Sequence, residues 1–318
     1  MSSHMRPTLW SQPDELARVL ADPGPARAAA DTLRGREVLL VGIGTSWHAA
    51  QHGAWLLRAA GVRAHAAHAA DLAPYDVPVD PAGGVIVLSH TGHTGYSMDV
   101  LRRARDAGAA TVHISAIGAG GDVETVAAEK SYAYTASHTA ALARVAQIAI
   151  ALGADLGGDL AAVPDAVQRV LDLPGPLLDV PPRLVELVGA GPNAWTAAEG
   201  ALKIREASYV AAEGLSSEQF FHGPSVALDV QDALVVLDGG GPMAARTAKI
   251  ADAVAVTGAR VVRFAADERL GEQLSIFPLT AVVQRVALEL AEARGVSPDR
   301  FRYEEDPRRE AAFEAVGF

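Results

Sequence analysis

The chain has 318 residues, half of them apolar and a fifth charged, with a formal net charge of −11 and no cysteine. That length suits about two domains, and the balance supplies enough apolar material for buried cores. The acidity argues against nucleic acid or an anionic membrane as partner. The missing thiols exclude disulfides, zinc thiolates, iron–sulfur clusters and a cysteine nucleophile.

Met1 to Met5 lacks the apolar run of a signal peptide. No stretch of about 18 uncharged apolar residues marks a membrane span, so a cytoplasmic location is expected. Residues 1–34 read as a helical lead-in, Ala-rich from 11 to 33. Residues 37–44 (EVLLVGIG) form a buried strand ending in glycines, and 46–60 follow with helical periodicity. Strands are predicted at 62–67, 84–89, 110–115 and 130–135, with helices from Gly95 to about Ala107 and over 139–152. The alternation implies right-handed βαβ units and a parallel sheet with helices on both faces.

Residues 161–182, rich in proline, read as a connector. Then the plan restarts, with strands at 184–189, 233–237 and 260–264 and helices at 193–212, 242–256 and 279–294. The openings of the two halves match, LLVGIGTSWHAA against ELVGAGPNAWTAA, with Trp47 and Trp195 in equivalent places. The expected fold is therefore α/β: two tandem doubly wound units, 35–160 and 183–300, followed by a tail over 301–318.

Ligands of open parallel sheets bind beyond the carboxyl ends of the strands, where helix N-termini point. Thr45 and Ser46 follow the first strand, and Ser89, His90, Thr91, Gly92, His93 and Thr94 follow a later one. Hydroxyls and close backbone at a helix start describe a phosphate cradle that needs no lysine. Helix caps and turns favour the same residue types, but two such loops at related strand ends favour phosphate. A dinucleotide site fits less well: Gly42-Ile43-Gly44 is only part of G-x-G-x-x-G, and Trp47 takes the third glycine's place.

In the second half, Glu199, Lys203 and Glu206 stand at i, i+4 and i+7 and so share one helical face. A solvated salt-bridge stripe is the commoner fate of such a pattern. If the helix is packed in, however, the carboxylates have shifted pKa values and one can take a proton from carbon. His222, in Phe-Phe-His-Gly-Pro, could be a packed loop residue or could open a sugar ring by moving a hydroxyl proton.

Taken in order, GTS, S-x-T-G-x-T, EGALKIRE-x-SY and HGP resemble the sugar-isomerase (SIS) domain family, the isomerase half of glucosamine-6-phosphate synthase and related phosphosugar isomerases, deaminases and deglycases among them. The resemblance implies that Thr45, Ser46, Ser89, Thr91, Gly92, Thr94 and Ser137 hold the sugar phosphate. It implies that Glu206 transfers the proton, that Glu199 and Lys203 are structural or touch substrate, and that His222 opens the ring from a neighbouring subunit. A homodimer with a shared active site, a sugar-phosphate or amino-sugar-phosphate substrate, and neither cofactor nor metal follow as expectations.

There are departures. No glutaminase segment or cysteine nucleophile is present, so glutamine is not expected as nitrogen donor by that route. Residues 301–318 hold no lysine to form an imine, only Arg302, Arg308 and Arg309, and arginine is a poor amine nucleophile. His93 replaces the family's glutamate in the phosphate loop, and His90 and His138 are also unusual there. The reading is a phosphosugar isomerase or amino-sugar-phosphate deaminase or deglycase, with the lean toward amine chemistry. The rivals are a non-catalytic phosphosugar sensor, which no helix-turn-helix or basic face accompanies, and a nicotinamide enzyme.

Overall fold

The computed structural model describes residues 3–179 and 183–316. Three short helices open the chain, α1 (Met5–Trp10), α2 (Gln12–Ala21) and α3 (Gly24–Leu33). Pro13 and Pro25 sit in the first turns of α2 and α3, where the missing N–H costs nothing, and this divides the Ala-rich lead-in. The first α/β unit runs β1 (Val38–Gly42), α4 (Thr45–Arg58), β2 (Ala64–His68), α5 (Ala69–Leu72), β3 (Gly84–Leu88), α6 (Gly95–Ala107), β4 (Ala110–Ser115), β5 (Val123–Glu124) and α7 (Ala136–Ala151). Helix α8 (Val163–Leu171) follows within the proline-rich connector; Pro181 and Pro182 of that connector lie outside the described residues. The second unit runs β6 (Leu184–Gly189), α9 (Asn193–Ser208), β7 (Ala211–Ser216), α10 (Ser217–Phe221), β8 (Ala233–Asp238), α11 (Ala244–Ala255), β9 (Arg260–Ala265), α12 (Gly271–Leu274) and α13 (Ile276–Arg294). A last helix, α14 (Pro307–Glu314), lies in the tail.

Both sheets are parallel. The first has the order β2-β1-β3-β4-β5 and the second β7-β6-β8-β9. The same order from equivalent strands, with one strand fewer, is what the repeated sequence openings predict. A close approach recurs as well. A Cβ at Gly42 would lie 2.4 Å from the Ser46 backbone, and one at Gly189 would lie 2.3 Å from the Asn193 carbonyl oxygen. In each unit the first strand therefore needs glycine so that its helix can start against it.

One large apolar core runs through both units and includes Met5, Leu9 and Leu16 of the lead-in. Helix α13 packs on α9 and α8, α2 packs on α7 and α8, and α4 packs on α9. This last contact brings the two sheet ends that carry the candidate residues together. Among the described residues no single helix is long and apolar enough to cross a membrane.

Two predicted elements are corrected. Residues 130–135 are bends and irregular chain rather than a strand, although Ser, Tyr, Ala and Tyr alternate there. The Glu129 carboxylate accepts from the backbone N–H groups of Thr135 and Ser137, which turns the chain into α7 instead of letting it pair. The predicted helix 193–212 ends at Ser208, where Tyr209 takes a left-handed conformation (φ 58°), and 211–216 is strand β7. That strand is built from small residues because it lies against α9: a Cβ at Gly214 would meet the Ala197 carbonyl oxygen at 2.1 Å. It therefore lacks the β-branched signal of a strand.

Glu186 lies in β6, paired in register with Glu213 of β7. It is 1% exposed, and its Oε2 has no hydrogen-bond partner. Burial, and then the Glu213 charge, push its carboxyl from 4.5 up to about 8. A carboxyl whose folded pKa is raised is neutral in both states at low pH, and costs stability as pH rises from about 4.5 toward about 8. Glu186→Gln keeps the shape without the proton. It is expected to raise stability by ~1–3 kcal/mol at pH 7 and by little at pH 4, measured by thermal unfolding at both values. An equal effect at both pH values would contradict this.

Candidate active site

The first unit supplies a hydroxyl-lined pocket. The α4 N-terminus follows β1 through Gly44, and the 89–94 loop leads from β3 into α6. Ser89 is buried, and its hydroxyl donates to Thr94 Oγ1 at 3.4 Å. Gly92 turns the loop at φ 68°, a conformation glycine adopts freely. A Cβ there would lie 2.7 Å from the Ala119 carbonyl oxygen. Thr45, Ser46, Ser89, Ser137, His90 and His138 line a small inner pocket of about 20 Å³. Through Thr45, Ser46, His90 and Tyr134 it opens into a cleft of about 600 Å³, which adds Thr91 and Thr94. Glu206 of the second unit lines the same cleft.

Helix α9 is held inside the protein, which overturns the solvated-stripe alternative. A Cβ at Gly200 would lie 2.7 Å from Leu187 and from Val283, so the helix sits tightly between β6 and α13. Glu199 and Lys203 are fully buried, while Glu206 keeps 21% of its side chain exposed toward the cleft. Lys203 Nζ donates to Glu206 Oε2 at 2.5 Å and lies 3.6 Å from Glu199 Oε1.

Glu199 reaches across to the first unit. Its Oε1 accepts from the Thr45 hydroxyl at 3.2 Å, and its Oε2 lies 2.7 Å from His48 Nδ1. Burial alone would raise the Glu199 carboxyl, but Lys203, His138 and His48 outweigh it and hold it down to about 2. Lys203 stays charged for the reciprocal reason: burial disfavours the ammonium, and Glu206 and Glu199 more than offset it. At Glu206 burial prevails over the pull of Lys203, so its carboxyl rises above the usual range. The two glutamates are thus pushed apart by their surroundings, Glu199 fixed as an anion and Glu206 able to exchange a proton at the cleft.

Not every sequence candidate converges. His222 is 72% exposed, next to Glu218 at 3.3 Å, and does not line the cleft of its own chain. His93 is exposed as well. Ser137 reaches the inner pocket, but its backbone N–H is taken by Glu129, so it brings a side chain and not an open helix terminus. Among the described residues no group of three or more His, Asp or Glu is placed to hold a metal ion.

The tail is part of the site, although its sequence pattern does not announce it. Phe301 stacks on Tyr132 at 5.0 Å, Tyr303 stacks on Phe313 at 4.2 Å, and the Tyr209 hydroxyl donates to the Arg300 carbonyl. These contacts lay the tail along the cleft, where Glu304, Glu310 and Glu314 line its outer end. The only legible signal was aromatic residues in an otherwise charged segment. Glu129, the cap of α7, is not announced either; it stands too far before the helix to fit an N-cap spacing.

Residues 34–151 match the family model described as the SIS domain. The glutamine–fructose-6-phosphate aminotransferase (isomerizing) of Pyrococcus horikoshii is 27% identical over 301 residues, which is 83% of this chain and 50% of the relative. The chain spans about half the length of the curated relatives it matches. The C-terminal domain of glucosamine-fructose-6-phosphate aminotransferase from Francisella tularensis is similar with a TM-score of 0.80 at 16% identity, covering 94% of this chain and 98% of that one. Glucosamine-6-phosphate deaminase from Thermotoga maritima has a TM-score of 0.80 at 20% identity, with the same coverages. At these identities the two structures speak for the fold alone.

Proposed function

We propose that this chain, whose residues 34–151 match the SIS-domain family model, transfers protons on a phosphorylated sugar or amino sugar. The observation that carries the reading is that Glu206 shares one cleft with Thr45, Ser46, Thr91 and Thr94, although they come from different units. The phosphate is held by hydroxyls and backbone of the first unit, which fixes the sugar carbons against Glu206. The Glu206 carboxylate takes a proton from the carbon beside the carbonyl, the electron pair moves to the carbonyl oxygen, and the proton returns to the neighbouring carbon. For a sugar amine the enolamine becomes an imine, which water hydrolyses to release the amine. Lys203 is a positioning residue that orients Glu206, and Glu199 ties α9 to α4. Ring opening falls to His222 reaching the cleft of a second copy, in a homodimer.

The outer cleft favours the amine chemistry over simple isomerisation. Glu304, Glu310 and Glu314 line it, and among the described residues no lysine or arginine does, so a protonated amine substituent is electrostatically welcome there.

The test is incubation with fructose 6-phosphate plus ammonia, with glucosamine 6-phosphate and with fructosamine 6-phosphates, followed by chromatography. Interconversion or amine release is expected. Tight binding with no turnover on any of them overturns the enzyme in favour of a phosphosugar sensor. Ser89→Ala is expected to weaken binding of the phosphorylated sugar roughly tenfold to a hundredfold, the effect of one hydrogen bond to a charged group. Calorimetric titration reads this, and an unchanged affinity would remove Ser89 from the phosphate site.

A further inference from the structure

The polar lining of the inner pocket is mostly hydroxyls, with two imidazoles, His90 and His138, among them. His138 is 2% exposed, on the first turn of α7, and neither of its ring nitrogens completes a hydrogen bond, although the Thr45 backbone lies close enough to favour its charged form. Buried polar atoms without partners are rare and call for a missing partner such as water or an ion. His138 borders the same small space as Ser46, Ser89 and Ser137. Every other polar side chain there is a neutral hydroxyl or already engaged. His90, the other imidazole of the pocket, accepts from the Glu129 N–H through Nε2 at 3.4 Å, and Lys203 is turned to its two glutamates.

We propose that His138 is the protonatable donor of this pocket: as the anionic headgroup of the ligand enters, His138 takes up a proton and holds the anion as an imidazolium. The proposal rests on the reading of the pocket as a phosphate site and adds to it a charge that the hydroxyls cannot supply. A charge-assisted bond is about twice as strong as a neutral one, and in a buried place a fixed cation would be expensive without its anion. A group that charges only when the anion arrives meets both conditions.

The surroundings set the balance. Burial is the largest influence on His138 and lowers it to about 4, Glu199 and the Thr45 backbone favour the charged form, and His48 and Lys203 oppose it. His52 stacks edge-on at 5.9 Å and is itself held neutral by burial and by His138. Across the pocket His90 is lowered to about 4 by burial, and Tyr134 is raised. His52, His90 and His138 all favour the neutral form before binding, so an entering anion finds an unfilled proton site.

The sign follows from linkage. The free pKa is low and the bound pKa higher, so between them binding takes up a proton and affinity falls as pH rises, by up to about tenfold per pH unit. Two probes are used on the full chain, fructose 6-phosphate and inorganic sulfate, which stays fully ionised across the range and so contributes no protons of its own. Titration calorimetry at pH 6 in two buffers of different ionisation enthalpy counts the protons. Close to one proton taken up per sulfate is expected, falling at pH 8. His138→Asn should lose most of that uptake and flatten the pH dependence, while His90→Asn should keep both. Thermal unfolding checks that each variant is folded.

Binding of fructose 6-phosphate and sulfate without proton uptake, or uptake that survives in His138→Asn, overturns the role of His138 and leaves the phosphate site standing. No binding of either probe overturns both.

Discussion

Glu206→Gln is expected to lower turnover by about 10²–10⁴-fold, the range for losing a positioned acid–base group, with binding of the phosphorylated substrate little changed. The substitution is nearly isosteric, and the amide oxygen still accepts from Lys203, which donates to Glu206 Oε2 at 2.5 Å. What disappears is the ability to exchange a proton at the cleft, the property that burial confers by raising this carboxyl against the pull of Lys203. Since Glu206 lines the cleft and Glu199 does not, the same change at Glu199 should act differently, by loosening α9 from Thr45 and His48. Rate and affinity measured side by side separate the cases. A Glu206→Gln enzyme with full turnover would remove Glu206 as the base, and one that no longer bound substrate would make it a binding group.

How much of this was visible in the sequence differs between kinds of residue. The 37–44 and 184–189 strands, each ending in glycine before a helix, were plain because parallel strands buried on both faces read as continuous apolar runs. The hydroxyl loops at Thr45–Ser46 and 89–94 were visible for the same reason, since they follow those strands. The pattern of Glu199, Lys203 and Glu206 gave their shared face but not its burial. That is decided by Gly200, which admits Leu187 and Val283, a contact distant in sequence. Strand β7 and the placement of the tail were not legible, because both depend on what they pack against. β7 is small-residued to fit α9, and the tail is seated by Phe301 on Tyr132, a pairing nothing local announces. The orphaned nitrogens of His138 belong to the same class, for a histidine looks the same in sequence whether its partners are present or missing.

Lys203→Met should be the most damaging single change for stability. Methionine matches the stem of lysine but not its charge, and it leaves Glu199 fully buried and Glu206 mostly so with no ammonium between them. Breaking a buried pair by removing one partner costs about 3–5 kcal/mol, which for a chain of this size is a fall of roughly 6–15 °C in melting temperature. Magnitude alone would not distinguish lost charge from disturbed packing; pH does. In the wild type Glu199 is depressed to about 2 from 4.5, so its contribution is present above the ordinary carboxylate range and is lost only as pH falls through about 2. Without Lys203 the burial of Glu199, the largest influence on that carboxyl, loses its strongest opponent, and Glu206 rises further. Glu206 then lies further above its unfolded pKa and Glu199 loses much of its depression, so the variant loses stability relative to the wild type as pH rises from about 4.5. Glu186 acts in that direction too, but equally in both proteins, so it cancels in the difference. The gap between wild type and Lys203→Met should therefore be widest at pH 8 and narrow clearly at pH 5, and adding Glu199→Gln should recover part of it at pH 8. A gap of the same size at both pH values would mean that Lys203 serves this helix by filling space and not by neutralising the two glutamates.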